Sequence, residues 1–115
     1  MIQGKIWGST ETLLVTPYIE VHRIHITPGM QCSMHKHEYK WNAFYVIEGE
    51  LEIHTDKNDY DLTDITVLKS GDFTTVKPGE YHKFVSTDSD VEALEIYYPQ
   101  GISEDIIRKT VGVGS

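Results

Sequence analysis

The chain has 115 residues, enough for a single domain spanning 1–115 around one core. Against 18 Asp and Glu there are 10 Lys and Arg, a formal charge of −8 with no basic cluster, which argues against a nucleic-acid partner because phosphate contacts need cations. The single Cys32 has no partner for an internal disulfide, residues 1–20 hold no signal-peptide core, and no apolar run reaches the roughly 18 residues of a membrane span. A soluble, cytoplasmic protein with no membrane partner is expected.

In chain order, short runs rich in β-branched and aromatic residues predict strands near 11–16, 18–26, 31–37, 42–48, 50–54, 63–68, 73–76, 82–86 and 91–98. Turn signals separate them, among them Thr27-Pro28-Gly29, Glu48-Gly49-Glu50, Ser70-Gly71-Asp72 and Lys77-Pro78-Gly79-Glu80. The 18–26 run changes phase, which implies a bulge. Residues 103–109 read as a short helix: Ser103 suits the N-cap, Glu104 and Asp105 the first turn, Arg108 and Lys109 the last. Many short strands with regular turns point to an all-β sandwich or barrel.

The chemistry concentrates in His35-Lys36-His37 and in His82. Residues two apart on a strand share a face, so His35 and His37 are expected to point the same way. Pro28-Gly29 turns the chain before them, and Pro78-Gly79 turns it before His82. Two imidazoles from one strand and a third from a distant hairpin make an open three-histidine site. Such a donor set suits a divalent metal: Zn, Mn, Fe or Ni.

These residues resemble the two motifs of the cupin superfamily. Gly29, His35, His37 and Gly49 stand at the spacing of the first, with Asn42 where that motif has a Glu. Gly71, Asp72, Pro78, Gly79 and His82 stand at the spacing of the second, with Lys77 in place of a Pro and Ser86 in place of an Asn. The resemblance implies a double-stranded β-helix, the jelly-roll barrel, with His35, His37 and His82 as metal ligands and Asn42 as a weak neutral donor. Phe44 shares parity with Asn42, and Tyr97 with Glu95, so Phe44, Tyr97 and Ser86 are expected in the pocket. Glu95 is the candidate general base if its face is inward.

A second likeness is carried by Trp7-Gly8, Ile47-Glu48-Gly49-Glu50-Leu51 and Glu104-Asp105-Ile106-Ile107-Arg108. It is similar to the cupin domain of type II mannose-6-phosphate isomerases, and it implies a sugar or sugar-phosphate ligand. The leading expectation is a metal-binding cupin that acts on, or binds, a sugar, a sugar phosphate or a similar small anion. Two alternatives stand beside it: a non-catalytic cupin that binds or senses a small ligand, and a three-histidine iron oxygenase. A homodimer is expected, with the residues before Pro17 packing on a partner barrel and Trp7 as the apolar anchor. His22, His25 and His54 are expected on the surface or in packing roles. Cys32, three residues before His35, is expected on the opposite face as a small buried hydrophobe.

Overall fold

The computed structural model describes residues 1–57, 62–99 and Lys109. Among them lie nine strands: β1 (Ile2–Lys5), β2 (Gly8–Val15), β3 (Glu20–Ile26), β4 (Trp41–Glu48), β5 (Leu51–Lys57), β6 (Leu62–Leu68), β7 (Phe73–Val76), β8 (His82–Ser86) and β9 (Val91–Tyr98). They form two antiparallel sheets, one ordered β1-β2-β3-β9-β4-β7 and the other β6-β5-β8. This is the all-β jelly roll that the motifs implied. The expected helix at 103–109 falls outside the described residues, apart from Lys109.

Alternation along the strands builds the core. β4 sends Asn42, Phe44 and Val46 inward, each with no exposed surface, and β8 sends in His82, Phe84 and Ser86. Ile24, Ile26, Val91 and Ala93 complete the inner face of the large sheet, and Leu51, Ile53 and Leu68 that of the small one. The Phe44 and Phe84 rings meet edge to face at 6.3 Å between the sheets. Trp7 is partly buried against this core, its ring 4.8 Å from that of Phe84.

Two glycines are required where strands crowd a neighbouring backbone. Gly49, at φ +92°, turns β4 into β5, and a Cβ there would lie 2.2 Å from the Asp90 carbonyl oxygen. A Cβ on Gly8 would lie 1.9 Å from the His25 carbonyl oxygen.

Three expectations change. The phase break lies in β2, where the pairing with β3 slips between Thr12 and Leu14, and β3 itself runs through without a break. A strand at Ile2–Lys5 was not foreseen, because its side chains are all exposed and leave no alternation to read. Residues 31–37 form no strand and make only isolated bridges, Gln31 with Val85 and His35 with His82.

On the outer face of the large sheet, His25 lies between Glu92 and Asp90, and Arg23 donates to Glu92 at 3.0 Å. The hydrogen bond that His25 donates to Glu92 raises the His25 pKa above its ordinary 6.5, against a smaller opposing effect of burial. The stability this contact adds is therefore complete below about pH 6.5 and is lost as pH rises through the raised value. Replacing Glu92 by Gln is expected to return the His25 titration toward 6.5 by NMR. The melting-temperature gap between native protein and Glu92→Gln should narrow from pH 6 to pH 9. A gap that widens over that range would contradict the assignment.

Candidate metal centre

The centre is built where the Met30–His37 segment runs beside β8. Backbone bonds tie the two together: Ser86 N–H to the Met30 carbonyl (2.8 Å), Cys32 N–H to Phe84 (3.2 Å), His35 and His82 reciprocally (3.0 and 2.8 Å), and Gly79 N–H to His37 (2.8 Å). Gln31 faces Val85 and His35 faces His82, so four steps on one side match three on the other. One extra residue is accommodated between the two bridges, as in a β-bulge. The slip interrupts the strand but keeps His35 and His37 on one side. It also brings Cys32 round to that side, so that Cys32 and His35 line the same cavity. The expected opposition of Cys32 to the histidines is corrected by this single residue.

His35, His37 and His82 each offer a nitrogen, and the three nitrogens lie within 4.8 Å of one another. Two of the rings are aimed by the same device. The Nδ1 of His35 donates to the Ser33 carbonyl at 2.7 Å, and the Nδ1 of His82 to the Glu80 carbonyl at 3.0 Å, each two residues upstream. A ring that gives its Nδ1–H to a carbonyl keeps a lone pair on Nε2. The Nε2 of His37 is buried and has no hydrogen-bond partner.

Asn42 stands at 3.0 Å from the Nε2 of His82 with its Oδ1. Its amide nitrogen donates to the Ile96 carbonyl at 3.3 Å. Both His82 nitrogens therefore face oxygens that only accept. A neutral imidazole carries one proton, so one of the two contacts joins lone pair to lone pair. Turning the Asn42 amide over moves the conflict to Ile96. Protonating His82 fully would resolve it, but burial holds the His82 pKa below its usual value. An unsatisfied buried acceptor costs about 1–3 kcal/mol. A cation between Nε2 and Oδ1 removes the conflict. The residues present fit a divalent metal on two counts: the Nε2 of His37 lacks a partner, and His82 meets Asn42 acceptor to acceptor.

Electrostatics agree with neutral ligands. Burial, then the neighbouring His35, Lys40 and His82, push the His37 pKa down to about 4. The Cys32 thiol is pushed up to about 11 by burial, so it stays protonated and is no thiolate donor. Its sulfur accepts the Phe84 N–H at 3.3 Å.

A cavity of about 410 Å³ opens beside the histidines, walled by His35, Glu95, Tyr97, His22, Cys32 and the β1–β2 hairpin. Glu95 is inward, on the same face as buried Ala93. Burial raises its carboxyl pKa, opposed by a hydrogen bond with Tyr97 and by the charges of His22, His35 and Lys40. Tyr97 sits edge-on to His37 at 5.1 Å between ring centroids. Phe44 packs beneath the site, its ring 6.3 Å from that of His82, and lies in the core. Ser86 lines neither large cavity. Its hydroxyl donates to the Thr27 carbonyl at 2.7 Å and accepts from the Met30 N–H at 2.9 Å, clipping the turn that precedes the histidines. Both depart from the expected pocket role, Phe44 because it is fully buried and Ser86 because the turn uses its hydrogen bonds.

Sequence reasoning missed His22, Glu20 and Lys40 as cavity residues. His22 faces Glu95 in the β3–β9 register, a pairing that strand parity alone does not supply. His25 and His54 do lie away from the centre, paired with Glu92 and Glu52.

Comparison with known proteins agrees with this fold. The oxalate-binding protein of Thermotoga maritima is 29% identical over 75 residues, 64% of this chain; the chain spans 57% of that relative's length. The structure of KdgF from Halomonas sp. superposes with a TM-score of 0.74 at 18% identity, covering 88% of this chain and 89% of that one. Oxalate decarboxylase from Bacillus subtilis superposes at 0.76 and 16% identity, covering 90% of this chain and 28% of that one. The structural likenesses show the fold. Residues 22–97 match the family described as Cupin domain, well over half of the chain, and the protein belongs to the cupin family.

Proposed function

We propose that the protein holds a divalent metal on His35, His37 and His82, with Asn42 as a neutral oxygen donor, and uses it to bind a small anionic ligand. The observation that carries this reading is the buried, unpartnered Nε2 of His37 converging with nitrogens of His35 and His82. Imidazole nitrogen with amide oxygen suits Zn, Mn, Fe and Ni. The Mn(II) centres of the neighbouring oxalate decarboxylase support Mn among them.

When bound, such an ion polarises a carbonyl or carboxylate oxygen of the ligand. Asn42 adds no charge, so the ion keeps its full double charge for the ligand, which favours an anion. The oxalate-binding relative supports a carboxylate. A sugar acid or sugar phosphate satisfies the same preference, and isomerisation of such a ligand is the finer reading. In that case Glu95 holds and moves the proton at its carboxyl oxygen. Its environment suits this work, because burial raises the pKa while Tyr97 keeps the group hydrogen-bonded.

We also propose a homodimer. On the outer face of the large sheet, Leu14, Val21, Ile96 and Ala43 form one cross-strand row, and Leu94, Tyr45 and Phe73 form the next. Phe73 is 70% exposed. Five strands at about 4.8 Å make a face roughly 20 Å wide, as large as the apolar patches that monomers leave in water. A second copy packed sheet to sheet is the occupant. Phe73→Lys should halve the mass measured by sedimentation equilibrium, and an unchanged mass would remove this face from the dimer.

Three calorimetric results test the metal. The native protein should bind one Zn(II) or Mn(II) per chain. His82→Ala should weaken binding at least a hundredfold. Asn42→Glu should tighten it about tenfold by adding a charged donor. Oxalate should bind only to the metal-loaded protein. Oxalate binding that survives removal of the metal by EDTA would move the reading to an organic pocket.

A further inference from the structure

A second cavity of about 600 Å³ lies on the other side of His37, lined by Tyr18, Tyr39, Tyr97, Tyr98, Lys36 and His37 among others. The two cavities share three walls: Glu20, Lys40 and Tyr97. Lys40 therefore lines both cavities, and its charge acts on His37 of the three-histidine centre. It is half-buried, in a residue type that is ordinarily exposed.

Its ammonium sits 4.5 Å from the centroid of the Tyr97 ring. Among the described residues it makes no ion pair, whereas Lys36 at the same mouth is paired with Glu38 at 3.1 Å. Three carboxylates line the two cavities with it, and each has its own hydrogen-bond or ion-pair partner, Glu38 in the pair with Lys36, although the Lys40 charge is felt at Glu95. Glu20 meets the His22 ring at 3.3 Å, and Glu95 takes its hydrogen bond from Tyr97. An aromatic face attracts a cation electrostatically but leaves most of its N–H donors free. A half-buried lysine with open donors, lining two cavities, is suited to hold an anion.

We propose that Lys40 is the second anchor for the ligand, which carries two anionic groups set apart from each other. One group meets the three-histidine centre and the other meets Nζ of Lys40. The ligand class is a small dianion longer than oxalate, whose two carboxylates are joined directly: a dicarboxylate, or an acid with a phosphate at its far end. This inference rests on the metal-held anion reading above. Tyr97 fixes the ammonium from below, and the outer cavity leaves room for whatever the ligand carries beyond it.

The experiment compares succinate with butyrate, which has the same four carbons and one carboxylate. Mn(II) is titrated first into native protein and into Lys40→Gln and Lys40→Arg, and then each acid into the loaded proteins. Both variants should bind Mn(II) within about twofold of native. Native protein should prefer succinate to butyrate about tenfold, the size of one charge-assisted hydrogen bond. Lys40→Gln should lose that preference while keeping its butyrate affinity, and Lys40→Arg should recover most of it. If Lys40→Gln weakens both acids by the same factor, or neither, the second anchor is refuted and the metal reading stands. If native protein takes up no Mn(II), Zn(II), Ni(II) or Fe(II), the metal reading fails and this proposal fails with it.

Discussion

Two lone pairs held 3.0 Å apart, on His82 of one sheet and Asn42 of the other, are the constraint around which the pocket is organised. Each partner is fixed from behind. The His82 ring is tied to the Glu80 carbonyl, the Asn42 amide to the Ile96 carbonyl, and Phe44 packs beneath. Neither side chain can turn away without breaking a second contact. The cost of such an arrangement, about 1–3 kcal/mol, is a noticeable fraction of a typical folding stability of about 5–15 kcal/mol. A jelly roll with a dry core between two sheets tolerates it. The same arrangement holds two donor atoms in place, so a cation held there would have less to organise.

The choice of Asn at position 42 follows the same logic. A carboxylate there would tighten the ion but quench part of its charge. Under the proposed metal reading, the neutral amide would leave that attraction for whatever approaches from the cavity, which Lys40 and Glu95 also line.

The three histidines and the fold were legible in the sequence because their signals are local. The turns before them carry Pro and Gly, the strands alternate, and His35 and His37 are two residues apart. What was not legible depends on register. The one-residue slip opposite β8 has no marker in Gln31–His35, yet it decides that Cys32 shares a cavity with His35. His22 belongs to the cavity through its pairing opposite Glu95, which strand parity cannot assign. Ser86 occupies a motif position, but its hydroxyl answers a shortage of donors and acceptors at the Thr27–Met30 turn, a demand visible only in three dimensions. The contact of Trp7 with Phe84 is likewise unmarked in the N-terminal sequence.

β9 is the last described strand along the chain, yet it lies in the middle of the large sheet, between β3 and β4. During synthesis, His35, His37 and His82 all emerge before the strand that carries Glu95 and Tyr97. The three histidines are therefore made while the cavity beside them still lacks a wall. β3 and β4 each wait with one edge unpaired and their apolar residues in water, a non-local closure of the kind that folds slowly. Insertion of β9 between β3 and β4 then completes the cavity wall beside the three histidines.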